Sequence, residues 1–193
     1  MNIGVLALQG AFREHVQMLQ RMKITAHEVR LPQQLASCDG LIMPGGESTT
    51  MGKLAREYGL IEAIRALARE GKPLWGTCAG MILLAKDIGP EPPHLNLMDV
   101  QVQRNAFGRQ VDSFEVDLDV PALAELGDAH PFHAIFIRAP LIQSVGPGVA
   151  VMARLNDGTI VAARQGNLMA TSFHPELTRD NRLHRFFVER LSR

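Results

Sequence analysis

Two hydrophobic periods alternate through the first 85 residues, and that alternation constrains the fold more than any other feature of the chain. "NIGVLAL" is a continuous apolar run of strand length, the pattern of a strand covered on both faces. After Gly10, "AFREHVQMLQRM" places Phe12, Val16, Leu19 and Met22 at helical spacing, with charged residues on the other side. "ITAHEVRL" and "DGLIMPGG" supply two further strands. "STTMGKLAREYGLIEAIRALAREGKP" reads as helix, broken at Gly59 and ended by Gly71 with Pro73 just beyond. "PLWG" is a fourth short strand that leads into "CAGMILLAKD" as a helix. This order predicts a parallel sheet with helices on both faces.

The second half changes character. A proline-rich loop, "KDIGPEPPHLNLMD", precedes a series of short β-type runs: "VQVQR", "SFEVDL", "HAIFIRAP", "GVAVMARL", "GTIVAARQ" and "NLMATSF". "NDG" at 156–158 is a strong hairpin signal, so a mixed or antiparallel section is expected there. "TRDNRLHRFFVERL" closes the chain as a helix with Leu183, Phe186, Phe187 and Leu191 facing inward. The expected fold class is α/β, a three-layer α/β/α arrangement with a mixed, largely parallel central sheet of flavodoxin-like type. The 193 residues carry no linker, repeat or low-complexity segment, so residues 1–193 are expected to form one domain.

Charge and cysteine content narrow the chemistry. Lysine and arginine number 20, as do aspartate and glutamate, and they are scattered without long runs. A nucleic acid or an anionic membrane therefore finds no electrostatic footprint. The longest uncharged stretch, Ala139 to Ala153, is 15 residues and is interrupted by Pro140, Gly146, Pro147 and Gly148, too short and broken to span a bilayer. The start lacks the basic n-region and cleavage pattern of a signal peptide, so the expected location is the cytoplasm. Two cysteines without CxxC spacing offer neither a disulfide framework nor a zinc site.

Cys78 stands in "GTCAG", where a strand gives way to a helix, with the Gly-x-nucleophile-x-Gly spacing of a nucleophile elbow. A sharp strand-to-helix turn strains the central residue and leaves room only for small neighbours. The thiol would then sit at a helix N-terminus, which favours the thiolate. Taken alone, the same residues also suit a buried, inert cysteine in a tight turn. Cys38, in "ASCDGLIMP", has no such frame and is most simply a packed residue.

A thiol nucleophile needs a base and a group to orient it. In "SFHPEL", His174 and Glu176 are two apart, so in an extended segment their side chains leave the same side, and Pro175 biases His174 toward that state. A surface proline turn with a solvated His and Glu is the alternative. Position favours the first reading, because the tripeptide follows an apolar strand, and open α/β sheets build their sites at strand C-termini. Donors for an oxyanion would come from the N–H of Gly46, where "MPGGESTT" ends another strand, and from the N–H of Ala79 after the nucleophile. A plain glycine turn into a helix capped by Ser48 or Thr49 is compatible with that role. His130 and His133 in "HPFH" lack further ligands, so a structural role is expected and no metal site.

"PGGES", "GTCAG" and "SFHPE", in that order, resemble the class I glutamine amidotransferase family. "LALQGAFREH", "PGGESTTM", "GTCAGMILLAK", "RNAFGRQVDSFE", "FIRAP", "VAARQGN" and "SFHPELT" are more closely similar to the glutaminase subunits of two-component pyridoxal 5'-phosphate synthases, from residue 3 to about residue 188. The resemblance implies hydrolysis of L-glutamine to glutamate and ammonia, with Cys78 as nucleophile, His174 as base then acid, and Glu176 orienting it. It further implies glutamine contacts at Gly46, Glu47, Ser48, Arg104, Ile137 and Arg138. An arginine near the site suits the α-carboxylate of free glutamine. Arg109 is read as a solvated surface charge, and Glu14 and His15 fall on a helix that the family uses near its partner surface. No cofactor or metal is implied. The implied partner is a (β/α)8-barrel synthase subunit that consumes the ammonia. Two alternatives stay open at this level: a noncatalytic flavodoxin-like binding domain with Cys78 merely buried, and a glutaminase feeding a different biosynthetic acceptor.

Overall fold

A computed structural model describes residues 1–104 and 113–191. In the N-terminal half, β1 (Asn2–Leu6), α1 (Phe12–Arg21), β2 (Thr25–Val29), β3 (Gly40–Met43), α2 (Ser48–Glu57), α3 (Leu60–Arg69) and β4 (Leu74–Thr77) follow in order. The strands lie as β2-β1-β3-β4, all parallel. Parallel neighbours cannot be joined by a tight turn, so each crossover covers a face of the sheet. Because strand side chains alternate, the apolar runs feed two cores. Leu6, Leu41, Met43 and Leu74 meet Met51, Leu60, Ile64 and Leu67 of α2 and α3 on one face. Ile3, Val5, Ile42 and Trp75 meet Leu19 of α1 on the other. These strand residues are fully buried, each stabilising by about 1.5–3 kcal/mol. A one-residue slip would exchange the two sets, which is why the register is fixed.

Beyond α4 (Ala79–Leu84) the chain forms β5 (Ala85–Asp87), β6 (Met98–Gln103), β7 (Ser113–Leu118), β8 (Phe132–Ile137), β9 (Leu141–Val145), β10 (Ala150–Arg154), β11 (Ile160–Gln165), β12 (Leu168–Thr171) and α5 (Arg182–Phe186). β12 lies parallel beside β4, pairing Leu168 with Leu74 through to Thr171 with Thr77. The sheet then turns antiparallel through β11, β9 and β6, with β5 at the edge and β10 hairpinned to β11. β7 and β8 form a separate antiparallel pair whose Leu118, Phe132 and Phe136 extend the core on the α1 face. The result is the mixed, largely parallel sheet between helices that the sequence implies.

Several elements differ from the sequence reading in informative ways. The helix expected over 78–87 stops at Leu84, because Ala85 turns to extended backbone (φ −60°, ψ 146°) and starts β5. Every α4 residue is buried, so the run has no polar face from which its length can be read. β9, within "APLIQSVGPG", was not anticipated; a single buried position, Ile142, leaves too little alternation. On α1 the buried residues are His15, Met18 and Leu19, whereas Phe12, Val16 and Met22 are half-buried. At "NDG" the hairpin forms as expected, with Gly158 at φ 87° and its N–H donating to Leu155 O at 2.9 Å. Gly59, at φ 71°, separates α2 from α3. The closing helix is α-helical through Phe186 and π-helical from Phe187 to Leu191. Leu183, Phe186 and Phe187 are fully buried; the Leu191 side chain and Arg109 lie outside the described residues. No helix among the described residues is long and apolar enough to cross a membrane.

Candidate active site

The turn between β4 and α4 is built around one strained residue. Cys78 has φ 48° and ψ −107°, a conformation that costs a non-glycine residue about 1–3 kcal/mol and persists only when its surroundings impose it. They do so here. The Cys78 N–H donates to Thr171 O at 2.8 Å, which ties the elbow to β12. The flanking glycines are required by contact: a Cβ on Gly76 would lie 2.3 Å from Gly80 O, and one on Gly80 would lie 1.9 Å from Met43 O. Gly-x-Cys-x-Gly is thus a packing requirement of the elbow. Cys38, by contrast, is a buried residue just after the 3-10 turn Pro32–Leu35, with its thiol donating to Gln34 O at 3.3 Å and pushed up in pKa by burial.

Parallel pairing of β12 with β4 carries the segment after β12 past the elbow. His174 N–H donates to Ile135 O at 2.8 Å, and His174 Nδ1 lies 2.7 Å from Glu176 Oε1. The segment is not extended as the sequence suggested: Pro175–Leu177 is a 3-10 turn, and Glu176 reaches His174 by folding back over it. Both side chains are buried. Gly45 closes the other side, since a Cβ there would lie 2.3 Å from His174 Cε1 and 3.2 Å from Cys78 Cβ. Burial opposes a charge on His174, but hydrogen bonds and the charges of Cys78 and Glu176 raise its pKa to about 10. Burial likewise opposes a charge on Glu176, yet the fields and hydrogen bonds of the His15 and His174 rings hold it well below the usual carboxylate range.

The loop after β3 faces the elbow. Its helix is capped by Glu47, not by Ser48 or Thr49: the carboxylate accepts from Thr49 N at 2.9 Å and Thr50 N at 2.7 Å. The Thr50 hydroxyl, with these N–H groups, lowers the Glu47 pKa to about 2. Two contacts from the segment after β1 fix the loop backbone. Ala11 N–H donates to Gly45 O at 3.0 Å, and Gln9 Oε1 accepts from Glu47 N at 2.6 Å. Gly10, at φ 97°, permits this approach, because its Cβ would overlap Gly45 O.

Around these groups lies a cleft of about 460 Å³. Gly46, Glu47, Ser48, Cys78, Ala79, Arg104, Ile137, Arg138 and His174 all line it, so every catalytic or glutamine-contacting residue implied by the resemblance meets there except the buried Glu176. Arg104 donates to Glu91 Oε1 at 2.9 Å and to Thr49 Oγ1 at 3.2 Å. Arg138, at the exit of β8, is a second strained non-glycine residue, with φ 43°. His130 and His133 are remote; His133 bridges Asp117 and Glu115 at 2.9 Å each on the exposed face of β7 and β8.

Sequence reasoning missed Gln9, which lines the cleft, and a buried pair behind Glu176, His15 and His184. A signal existed for His15: it precedes Met18 and Leu19 by three and four residues, on the inward stripe of α1. Nothing local marks Gln9, since its partner Glu47 is 38 residues away.

A strained cysteine at a strand-to-helix elbow, with a buried His–Glu pair just beyond the neighbouring strand, fits one class of protein: the class I glutamine amidotransferases. Two solved structures carry the same fold. A crystal structure of a glutamine amidotransferase matches with a TM-score of 0.91 and 54% identity, covering 98% of each chain. The structure of PurLQS from Thermotoga maritima matches with a TM-score of 0.78 over 98% of each chain, at 17% identity a likeness of fold alone. Within that class, this chain belongs to the SNO glutamine amidotransferase family, whose profile matches residues 5–193. It is 58% identical over 192 residues to the pyridoxal 5'-phosphate synthase subunit PdxT of Herpetosiphon aurantiacus, covering 97% of this chain and 99% of that one. It is 57% identical over 190 residues to the PdxT of Moorella thermoacetica, covering 98% of both.

Proposed function

We propose that this chain is the glutaminase subunit of a pyridoxal 5'-phosphate synthase, hydrolysing L-glutamine through a Cys78–His174–Glu176 triad. The observation that carries the reading is the 2.7 Å contact of His174 with buried Glu176, made by a ring that lines the same cleft as the strained Cys78 and flanks Gly45 together with it. Glutamine lies in the cleft with its α-carboxylate toward Arg104 and its side-chain amide toward the elbow, and Gly46, Glu47, Ser48, Ile137 and Arg138 provide its other contacts.

Cys78 and His174 share one proton. The sulfur attacks the δ-carbonyl carbon while that proton resides on the ring, and the oxyanion accepts the N–H groups of Ala79 and Gly46. Ala79 opens α4, so its N–H has no partner within the helix. The oxyanion collapses, the C–N bond breaks, and His174 gives its proton to the departing nitrogen, leaving a glutamyl thioester and ammonia. Water then attacks the thioester, losing a proton to His174, and glutamate leaves as the sulfur is restored. Glu176 holds the ring in one orientation throughout.

Ammonia released to solvent at neutral pH becomes ammonium and ceases to be a nucleophile, so the product is consumed by a partner in the same complex. That partner is a (β/α)8-barrel synthase subunit, and the pair works in the cytoplasm. Docking against the Gln9–Gly10–Ala11 and Gly45–Gly46 edge governs the peptide between Gly45 and Gly46. The decisive experiment is titration with an electrophilic glutamine analogue followed by peptide mass mapping, alongside ammonia release with and without the synthase subunit. One adduct at Cys78 and none at Cys38 is expected; modification of both cysteines alike refutes the triad. Equal turnover with and without the synthase subunit refutes the gating.

A further inference from the structure

Behind the triad, on the side away from the cleft, two further histidines are completely buried. His15 on α1 and His184 on α5 are both 0% exposed. His15 Nε2 lies 3.3 Å from Glu176 Oε2 and 3.3 Å from Thr77 Oγ1, while its Nδ1 is 2.9 Å from His184 Nε2. The carboxylate therefore lies between two rings, with His174 on Oε1 and His15 Nε2 3.3 Å from Oε2, an oxygen that accepts no aligned hydrogen bond among the described residues. The Trp75 ring packs edge-on against both histidines, at 5.8 Å and 4.9 Å between centroids.

The proton positions follow from what each atom can do. A carboxylate only accepts, so a bare Nε2 on His15 would set one lone pair against another; Nε2 must carry the hydrogen. His184 Nδ1 has no hydrogen-bond partner among the described residues. A stranded acceptor is less costly than a stranded N–H, so His184 carries its hydrogen on Nε2 and donates to His15 Nδ1. One direction of donation then runs from His184 to His15 and on to Thr77, with the same N–H pole of the His15 ring 3.3 Å from Glu176 Oε2. The inward stripe of α1 already contains Met18 and Leu19, so an aliphatic residue would serve packing at position 15 without the cost of burying an imidazole.

We infer that His15 is a positioning residue for the glutaminase reaction: with His184 fixing its tautomer, it holds the outer oxygen of Glu176 and so fixes the carboxylate that orients His174. This rests on the triad reading above. It also places α1, whose entry loop Gln9–Gly10–Ala11 lines the cleft, in direct contact with the triad from behind. The groups facing His15 are His184, Thr77, Trp75 and Glu176; those facing Glu176 are His15 and His174.

Two measurements test it. In the assembled complex with the synthase subunit, His15→Leu is expected to lower kcat for ammonia release about 10- to 100-fold, the range seen when an outer partner of an oriented histidine is removed, with KM for glutamine within about twofold. His15→Gln, whose amide nitrogen reaches the position of Nε2, is expected to recover most of that loss. Full turnover in His15→Leu, or equal impairment of the Leu and Gln variants, overturns the assignment. Nitrogen-15 NMR of the wild-type histidines needs no variant to fold: His15 with a proton on Nε2 supports the assignment, and a bare Nε2 overturns it. Cys78→Ser in the same assay separates the two ideas, since an active Cys78→Ser refutes the triad itself, whereas an inactive Cys78→Ser beside an unimpaired His15→Leu refutes only the role of His15.

Discussion

Replacing Gly45 with alanine isolates what the geometry of the proposed triad is worth, because the added methyl enters the space between the side chains of Cys78 and His174. Gly45 does not have a positive φ, so alanine adopts its backbone without strain and the perturbation is confined to the side chain. The new Cβ would lie 2.3 Å from His174 Cε1 and 3.0 Å from its Nδ1. Restoring ordinary contact moves the ring by roughly 1 Å, and a misplacement of that size costs about 10²-fold in turnover. This corresponds to about 2.7 kcal/mol of barrier. The backbone of the loop is pinned by Ala11 and Gln9, and Cys78 Cβ is itself only 3.2 Å from the added atom, so the ring has to yield. Since the ring borders an open cleft, folding stability changes little; loss of glycine's freedom in the unfolded chain offsets part of the strain, by about 0.4–1 kcal/mol. The assay is steady-state ammonia release from glutamine in the complex with the synthase subunit, with thermal denaturation in parallel. A Gly45→Ala protein with wild-type kcat and wild-type Tm would show that the sulfur and the imidazole do not depend on this spacing, and the reasoning fails.

Other perturbations address separate parts of the site. Arg104→Ala removes the cation proposed for the α-carboxylate; with a charged hydrogen bond contributing about 1.5–3 kcal/mol, KM for glutamine rises roughly 10- to 100-fold while kcat changes far less, as initial rates over a glutamine series will reveal. Gly80→Ala drives a Cβ to within 1.9 Å of the Met43 carbonyl oxygen, both atoms being backbone-fixed, and urea melts are expected to show at least about 2 kcal/mol of destabilisation. Glu47→Gln weakens the cap of α2 by up to about 1 kcal/mol at neutral pH. Because the folded pKa of Glu47 is lowered to about 2, its contribution is present above the unfolded value near 4.5 and is lost as pH falls through 2. The stability gap between wild type and Glu47→Gln should accordingly close between pH 5 and pH 2; a constant gap contradicts the charged cap.

What was legible in the sequence is what depends on short-range pattern. The alternation of apolar runs with helical stripes gave the parallel half of the sheet, since burial on both faces leaves a continuous apolar strand and a crossover leaves a one-sided helix. The glycines around Cys78 marked the elbow because the contacts that forbid a side chain are made within five residues and one neighbouring strand. "NDG" marked its hairpin for the same local reason. Tertiary structure decided the rest. β12 lies beside β4, though their first positions, Leu168 and Leu74, are 94 residues apart in the chain, and only this pairing brings His174 to Cys78. The 3-10 turn at Pro175 redirects Glu176, and no pattern within six residues distinguishes that turn from an extended segment. The sequence placed His15 only on a helix near an expected partner surface; α5, at the far end of the chain, encloses it with His184. Period and spacing specify which face of each element is apolar; which polar groups are enclosed between those faces depends on contacts across the whole chain, and those are where the chemistry of this protein is set.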